Sequence, residues 1–409
     1  MIGRAAKSMM LKLDVIRIIR HIVLCFSIVL VASCSSERVN EPSELEKFKD
    51  KISMKRLWKT SVGTGDDGLM LQLSPVLLDQ KIYTIDIDGN LYVIDTLDGK
   101  DVWHRALDER VSGGLGFDNK HLYYTTFQGQ IVCIDKSNGD EKWRQTLSSE
   151  AVAAPASNGA LVMVQAIDGK LMAFNTDDGT QKWRYDSLGP ILSLRGTPTP
   201  LVSQKYTITS FANGEMLAFD NTNGQPFWKA VLGLPQGRTE LERLVDPDGQ
   251  GTLDGDRLYA AAYQGKVVSL DALTGQEVWS KSVSSFNSVA VGFSKVFVTT
   301  SDGDVVALNQ SSGTELWRNE KLKYRRLSSP TIFGQTVIAA DFEGYLHVIS
   351  VADGEILARK KPDSEGIMGN VIVSGDKVYV YARSGDIVAY KLYSDIYPLM
   401  LDSMSGVVK

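Results

Sequence analysis

Apolar residues recur at fixed distances after eight glycines that follow one another at intervals of 38 to 51 residues. The second and fifth residues after each glycine are apolar or aromatic in every copy, and the fourth is small or slender. This pattern predicts a β-strand in every copy, with the small residue at a crowded position. Eight copies at such a period are typical of repeat arrays and propellers. The glycines are Gly89, Gly129, Gly169, Gly214, Gly265, Gly303, Gly344 and Gly385.

A turn signature follows each predicted strand. The sixth residue after the glycine is Asp or Asn in six copies, and the tenth is a glycine in seven. Asx side chains bind local backbone N–H groups and glycine adopts positive φ, so the spacing predicts a turn between antiparallel strands. An upstream hairpin completes four strands per copy. The strand after this turn is predicted to end at a tryptophan, which lies fourteen residues after the glycine in six copies: Trp103, Trp143, Trp183, Trp228, Trp279 and Trp317.

These repeats predict an all-β fold, an eight-bladed β-propeller of four-stranded antiparallel blades. A closed ring leaves only short, protected sheet edges. The eighth copy has no outer strand after Lys391, whereas the segment around Trp58 resembles an outer strand without inner ones. We therefore expect the N-terminal strand around Trp58 to complete the last blade. An open solenoid would instead need polar capping repeats at both ends, and we see no such repeats in the sequence.

The N-terminus has the pattern of a secretion signal. Five basic residues precede the apolar run 22–32, which is too short to span a bilayer. The run closes on Val31-Ala32-Ser33-Cys34, which resembles the lipobox of bacterial lipoproteins and implies that Cys34 becomes the acylated first residue. Ser35 follows, and without an aspartate there the resemblance implies the outer membrane. The alternative is a cleaved secretory signal with an incidental cysteine.

The predicted boundaries follow from these segments. They are a lipoprotein signal peptide over 1–33, a lipidated tether over 34–50, the propeller over 51–394 and a C-terminal tail over 395–409. Of 409 residues, 43% are hydrophobic and 23% charged, which is typical of a globular protein. Removal of the signal takes away five basic residues and one acid, so the net charge moves from −5 to −9. An acidic protein is a poor candidate for nucleic-acid binding.

Three features that could carry chemistry lack the context that the chemistry needs. The run 63–68 matches GxGxxG, but an extended segment follows it where a dinucleotide site needs a helix. The run 246–251 imitates a calcium loop, but its twelfth position is Arg257 and no flanking helix is predicted. After cleavage Cys133 would be the one thiol beside Cys34, so no disulfide framework is expected. We predict no catalytic residue, metal, cofactor or small-molecule substrate.

Two consecutive repeats are interrupted by insertions. The step from a tryptophan to the next glycine is 24 to 27 residues, except for 31 after Trp183 and 37 after Trp228. Both insertions follow the tryptophan strand, so both should emerge on the same face of neighbouring blades. The first contains Leu192, Leu194 and Arg195, a composition typical of interface hot spots. The composition equally allows the leucines to pack beneath their own loop.

The repeated phrase resembles the tryptophan-docking repeat of quinoprotein dehydrogenases. That resemblance implies a periplasmic enzyme that binds pyrroloquinoline quinone and calcium on the propeller axis beside an adjacent cysteine pair. This chain has no such pair. We therefore interpret the repeat as shared scaffolding, because a fold does not carry its function with it. A quinone-dependent dehydrogenase is kept as the alternative function, and a scaffold for another envelope partner as a third.

A second resemblance rests on the lipobox, the eight repeats and both insertions taken together. Leu-Ser-Leu-Arg-Gly after Trp183, and Glu-Arg-Leu followed by Asp-x-Asp after Trp228, resemble the outer-membrane protein assembly factor BamB family. This resemblance implies a non-enzymatic lipoprotein of the β-barrel assembly (BAM) complex, on the periplasmic face of the outer membrane. Its expected partner is the set of POTRA domains of BamA. The implied contact residues are Leu192 and Leu194 as apolar anchors, Arg195 as a charged donor, and Asp246 and Asp248 as partners for a basic patch.

Overall fold

The computed structural model describes residues 40–69, 71–187, 196–234, 238 and 245–393. Every regular element in these ranges is a β-strand. Across the same ranges, no helix is long and apolar enough to cross a membrane. Cys34, Leu192, Leu194 and Arg195 lie outside the described residues.

The strands form eight four-stranded antiparallel sheets, the blades of a propeller. The first strand is β1 (Ser53–Ser61). Blade 1 has β2 (Val76–Leu78), β3 (Lys81–Ile85), β4 (Asn90–Asp95) and β5 (Asp101–Ala106). Blade 2 has β6 (Val111–Phe117), β7 (His121–Thr126), β8 (Gln130–Asp135) and β9 (Glu141–Thr146). Blade 3 has β10 (Ala156–Ser157), β11 (Leu161–Gln165), β12 (Lys170–Asn175) and β13 (Gln181–Asp186). Blade 4 has β14 (Leu201–Val202), β15 (Tyr206–Ser210), β16 (Glu215–Asp220) and β17 (Pro226–Val231).

The second half of the ring repeats this order and ends by using the first strand of the chain. Blade 5 has β18 (Thr252–Asp254), β19 (Arg257–Ala261), β20 (Val267–Asp271) and β21 (Glu277–Lys281). Blade 6 has β22 (Ala290–Gly292), β23 (Lys295–Thr299), β24 (Val305–Asn309) and β25 (Glu315–Asn319). Blade 7 has β26 (Thr331–Phe333), β27 (Thr336–Ala340), β28 (Leu346–Ser350) and β29 (Ile356–Lys360). Blade 8 has β30 (Ile367–Ser374), β31 (Lys377–Ala382), β32 (Asp386–Tyr393) and β1.

The N-terminal strand closes the ring as predicted. β1 pairs with β32 in antiparallel register, with Trp58 opposite Ala389, and so supplies the outer strand of blade 8. The GxGxxG run then leads from β1 into blade 1. Gly65 has φ +73° and lies so close to the Arg383 carbonyl that a Cβ atom would be 2.0 Å from the oxygen. The Asp66 carboxylate bonds the Arg383 guanidinium at 3.1 Å. Gly65 therefore serves the junction between blade 8 and blade 1.

The register explains why the fourth residue of each repeat is small. In every blade that residue lies directly opposite the tryptophan position of the outer strand, as Ala173 lies opposite Trp183. A large side chain there would collide with the indole ring. In all eight blades the register then shifts at the following residue, which is a β-bulge. Bulges of this kind protect the outer edge strand from pairing with other chains.

Each tryptophan packs against a glycine of the next blade. The Trp183 ring lies over Gly224, where a Cβ atom would be 2.5 Å from the ring, and its Nε1 donates to the Asn221 carbonyl at 2.8 Å. Gly224 also has φ +71°, so glycine is required for both the turn and the approach. We call this contact the tryptophan dock. The docks join Trp58 to Gly99, Trp103 to Gly139, Trp143 to Gly179, Trp183 to Gly224, Trp228 to Gly275, Trp279 to Gly313 and Trp317 to Gly354.

The tryptophan dock predicts a difference between two glycine substitutions. Gly224→Ala and Gly255→Ala both place a Cβ atom at positive φ, but Gly255 has open space around that position. We expect Gly224→Ala to lower the free energy of unfolding by about 1–3 kcal/mol more than Gly255→Ala, because the indole must move. Urea unfolding of the two variants measures this difference. Equal losses would show that the dock has no energetic weight.

Candidate functional site

The two faces of the propeller carry different connections. One face carries the turns between the third and fourth strands, where the docked glycines lie. Antiparallel strands place alternate connections at opposite ends. The other face therefore carries the connections from each outer strand to the next blade, including 187–200 and 232–251, which contain the two insertions. We call it the insertion face. The expectation that both insertions share one face agrees with this strand order.

A cavity of about 610 Å³ opens at the centre of the insertion face. Residues from all eight blades line it. Its wall holds charges of both signs, including the Asp66 and Arg383 pair. Gly196, Thr197 and Asp248 are among the wall residues. Because Gly196 and Thr197 precede blade 4 and Asp248 precedes blade 5, their proximity cannot be read from motif spacing.

Within the described ranges, no three or more His, Cys, Asp or Glu side chains are grouped to hold a metal ion. Cys133 lies on β8 and is fully buried opposite Trp143. Burial, followed by the nearby Asp118 charge, raises the pKa of the Cys133 thiol to about 12. A thiol with that pKa is a poor nucleophile at neutral pH.

The last residues of the second insertion are attached to blades 4 and 5. The Tyr263 N–H donates to the Asp246 carbonyl at 2.9 Å, and the Ser210 hydroxyl donates to the Pro247 carbonyl at 2.9 Å. Val245 is 2% exposed and packs in the core between these blades. The backbone around Asp246 is therefore held from both sides. The Asp246 side chain is itself 2% exposed, so it lies beneath the surface.

The Asp248 carboxyl lies against the end of the first insertion. A Cβ atom on Gly196 would be 2.3 Å from the carboxyl carbon of Asp248, so the backbone of residue 196 rests on this side chain. Gly196 directly follows Arg195, the last residue of the Leu-Ser-Leu-Arg phrase. The two insertions thus meet through Asp248 at the edge of the cavity. The position of Gly196 within the conspicuous Leu-Ser-Leu-Arg-Gly phrase is the sequence signal that could have pointed to it.

The environment of Asp248 favours its protonated form. Burial is the main cause, and the charge of Asp246 and a hydrogen bond between the two carboxyls add to it, so the pKa of Asp248 rises to about 8. The Asp248 Oδ1 atom is buried without a hydrogen-bond partner, as is the Thr197 hydroxyl. Two close carboxylates are least costly when they share a proton. The pair of Asp246 and Asp248 is therefore better suited to a position packed behind a loop than to a contact with a charged partner in water.

The fold and the site define the class of protein to which the chain belongs. Tryptophan docks join four-stranded blades into a closed propeller, and the irregular connections converge on one face around a central cavity. This is a repeat propeller of the tryptophan-docked class. A quinohemoprotein alcohol dehydrogenase from Comamonas testosteroni has the same fold, with a TM-score of 0.67 at 12% identity over 83% of this chain and 76% of that chain.

The chain belongs to the family of outer membrane protein assembly factor BamB. The sequence model described by that name matches residues 87–319 and 291–395. A BamB of Pseudomonas aeruginosa is 45% identical over 91% of this chain and 99% of its own length. A BamB of Escherichia coli is 32% identical over 88% and 96%, respectively. The crystal structure of BamB from Moraxella catarrhalis has a TM-score of 0.76 at 24% identity, covering 83% of this chain and 100% of that one. These relatives are assembly factors, and the chain covers nearly their whole length. They identify a non-enzymatic protein and confirm the family resemblance.

The raised pKa of Asp248 predicts that Asp248→Asn stabilises the folded protein by an amount that depends on pH. The ordinary pKa of 3.8 applies to the unfolded chain, so between about pH 4 and pH 8 the folded state retains a proton that the unfolded state has lost. Stability therefore falls as pH rises through this window. Asp248→Asn removes the ionisation, and we expect it to be more stable than wild type at pH 8.5 by at least about 1.4 kcal/mol, one pKa unit.

The measurement is urea unfolding of both proteins from pH 4 to pH 8.5. The gain should become small near pH 4, where the wild-type carboxyl is protonated in the folded state and close to half protonated in the unfolded one. Asp302→Asn, at an exposed position of blade 6, serves as the control and should show no such trend. A gain that does not change with pH would contradict the assignment.

Proposed function

We propose that this chain is a lipid-anchored scaffold of the BAM complex and docks the POTRA domains of BamA through its insertion face. The relatives from Pseudomonas aeruginosa and Escherichia coli are outer membrane protein assembly factors that match 91% and 88% of this chain, respectively. That match supports the same assembly role for this chain. In the proposed arrangement, Cys34 carries the lipid, palmitate included, in the periplasmic leaflet of the outer membrane. The propeller then lies in the periplasm.

The observation that carries the docking proposal is that the connections with both insertions leave from and return to the same face of neighbouring blades. The blades beneath them are joined by tryptophan docks on both sides, from Trp183 to Gly224 and from Trp228 to Gly275. Binding residues are frequently placed on loops that a rigid scaffold positions. The insertion face offers long, irregular connections on this docked frame, whereas the opposite face offers the short, regular turns of the repeat.

The five expected contact residues then divide into two roles. Leu192 and Leu194 are the apolar anchors, and Arg195 donates charged hydrogen bonds to a carboxylate or carbonyl of the partner. From the sequence we expected Asp246 and Asp248 to meet a basic patch. Because Asp246 is 2% exposed and Asp248 supports Gly196, we propose instead that the acids hold the base of the first insertion. Their loss would weaken docking indirectly.

The alternative function, a quinone-dependent dehydrogenase, is not favoured. The similarity to the quinohemoprotein alcohol dehydrogenase is 12% in sequence and concerns the fold alone. The cavity wall also lacks an adjacent cysteine pair, since Cys133 is buried in blade 2. A scaffold for another envelope partner differs from the main proposal in the partner alone. Affinity purification from membranes followed by mass spectrometry distinguishes these two scaffolds.

The docking proposal predicts weaker BamA binding when three side chains of the first insertion are replaced by alanine. In Leu192→Ala/Leu194→Ala/Arg195→Ala, two apolar anchors and one charged donor are removed, each worth roughly 1–2 kcal/mol or more at an interface hot spot. We expect at least a tenfold weaker affinity for the purified POTRA domains of BamA. Isothermal titration with the mature proteins gives the affinity, and circular dichroism confirms that the variant is folded.

A matched control uses the same residue types away from the insertion face. Leu97 and Leu273 are exposed in turns of the opposite face, and Arg184 is exposed on an outer strand. Leu97→Ala/Leu273→Ala/Arg184→Ala should bind the POTRA domains like wild type. Undiminished binding by a folded insertion variant, or equal loss in the control, would refute the assigned surface.

The anchor proposal makes a separate prediction. Cys34→Ser removes the thiol that the lipid would modify, so the variant should incorporate no labelled palmitate and should move from the outer-membrane fraction to the soluble periplasmic fraction. Cys133→Ala is the matched control, because blades 3 and 4 have alanine at the equivalent position (Ala173 and Ala218). The control should stay labelled and membrane-bound. Palmitate on Cys34→Ser would disprove the site.

A further inference from the structure

One junction of the ring has no tryptophan dock. Between blade 7 and blade 8, the residue fourteen positions after Gly344 is Ala358. Its cross-strand partner is Val348, so Ala358 occupies the place that tryptophan has in the other outer strands. A methyl group is too short to reach a turn of the next blade. This seam must therefore be held by other contacts.

Side chains from the N-terminal segment fill the seam. Ile52 and Met54 are 3% and 7% exposed. Both belong to a core cluster that joins the two blades, with Leu357 and Ala358 from blade 7 and Val378, Tyr390 and Leu392 from blade 8. The Leu357 carbonyl also accepts the backbone N–H groups of residues 51 and 52, at 2.7 and 3.4 Å. The segment before β1 thus adds to the outer edge of β29.

Polar contacts extend this attachment upstream. The Asp50 carboxylate accepts the backbone N–H of Arg359 at 3.3 Å and pairs with Lys360 at 2.8 Å. Leu45 packs against the core between blades 6 and 7. Ser43 donates its N–H to the Lys323 carbonyl at 2.9 Å. Residues 43–52 are therefore bound along their length, and we call them the strap.

Two arginines hold the backbone of the strap. The Arg325 guanidinium donates to the Ser43 carbonyl at 3.0 Å, and the Arg359 guanidinium donates to the Glu46 carbonyl at 2.9 Å. Carbonyl oxygens are offered by any residue type, so these bonds fix the path of the strap without a sequence motif. The Arg359 guanidinium also lies over the Phe48 ring, 5.0 Å from its centroid. Such a cation–π contact adds roughly 0.5–1 kcal/mol at an exposed site.

A buried histidine and aspartate orient both arginines. His347 and Asp341 are buried, and the Asp341 carboxylate accepts from Arg325 Nε at 2.6 Å and lies 2.9 Å from His347 Nε2. His347 Nδ1 lies 3.2 Å from Arg359 Nε. Arginine Nε can only donate, so His347 accepts at Nδ1 and carries its proton on Nε2. Burial lowers the pKa of His347. The positive charges of Arg359 and Arg325 also lower this pKa, whereas the hydrogen bond and negative charge of Asp341 raise it.

We infer that the strap fastens blade 7 to blade 8 in place of the missing tryptophan dock. The apolar side chains of Ile52 in the strap and of Met54 at the start of β1 supply the filling that an indole supplies elsewhere. The arginines, set by Asp341 and His347, supply the directional bonds that an indole N–H supplies elsewhere. The same segment leads from the predicted tether into the propeller, so force on the N-terminus reaches this seam through the strap. Loosening the strap therefore opens the ring at one seam and leaves the docked blades closed.

Hydrogen–deuterium exchange of the mature protein tests this inference. Leu45→Ala/Asp50→Ala removes one apolar and one polar attachment of the strap, while every tryptophan dock stays intact. We expect exchange to rise at least about tenfold in β29 and at the β1–β32 pair, and to stay unchanged in blades 2 to 5. Leu273→Ala/Asp302→Ala, which changes the same residue types at exposed positions, should leave β29 protected.

A second variant acts from the propeller side of the contact. Arg359→Lys keeps the charge but loses the planar fork that reaches Glu46 and His347 together, so the same local rise in exchange is expected. Exchange that rises equally in all blades would mean that the strap contributes general stability and would overturn the inference. Unchanged protection of β29 in both strap variants would overturn it as well.

Discussion

The architecture depends on the contact between an indole ring and a glycine of the next blade. A four-stranded sheet of this size cannot bury both of its faces alone, so each blade is stable only against its neighbours. The dock meets this need with one large apolar ring, one N–H donor and one residue without a Cβ atom. It constrains three positions at once, because the residue opposite the indole must be small and the glycine must adopt positive φ. Regularity at these positions is therefore a packing requirement.

Because the docks form a rigid and uniform ring, function is left to the places where the repeat is interrupted. The quinohemoprotein alcohol dehydrogenase shares the fold at 12% identity, so the docks are compatible with unrelated activities. In the BamB family member described here, the two long connections meet on one face, and Asp248 packs beneath the end of the first. A carboxyl that is mostly protonated tolerates this buried position, whereas a charged one would not.

The blades, their closure by the strand around Trp58 and the shared face of the insertions all follow from the sequence. Each of these features depends on local spacing, and the spacing of fourteen residues is visible in six of the eight copies. The GxGxxG run shows the limit of motif matching, because Gly65 is required by its distance from Arg383, a residue more than 300 positions away in the chain. The contact between Asp248 and Gly196 is similarly invisible, since no period relates the two residues.

The sequence alone determined the number of blades, the turns and the docks, because these depend on contacts within one repeat or between equivalent positions of neighbouring repeats. The tertiary structure alone decided what happens where the repeat is missing. Residues 43–50 read as a polar tether, since lysines and glutamates dominate them. Their attachment depends on backbone carbonyls that meet Arg325 and Arg359, and a carbonyl leaves no mark on residue identity. The ring must close, and the physical means of closing its last seam became visible only when both ends of the chain were brought together.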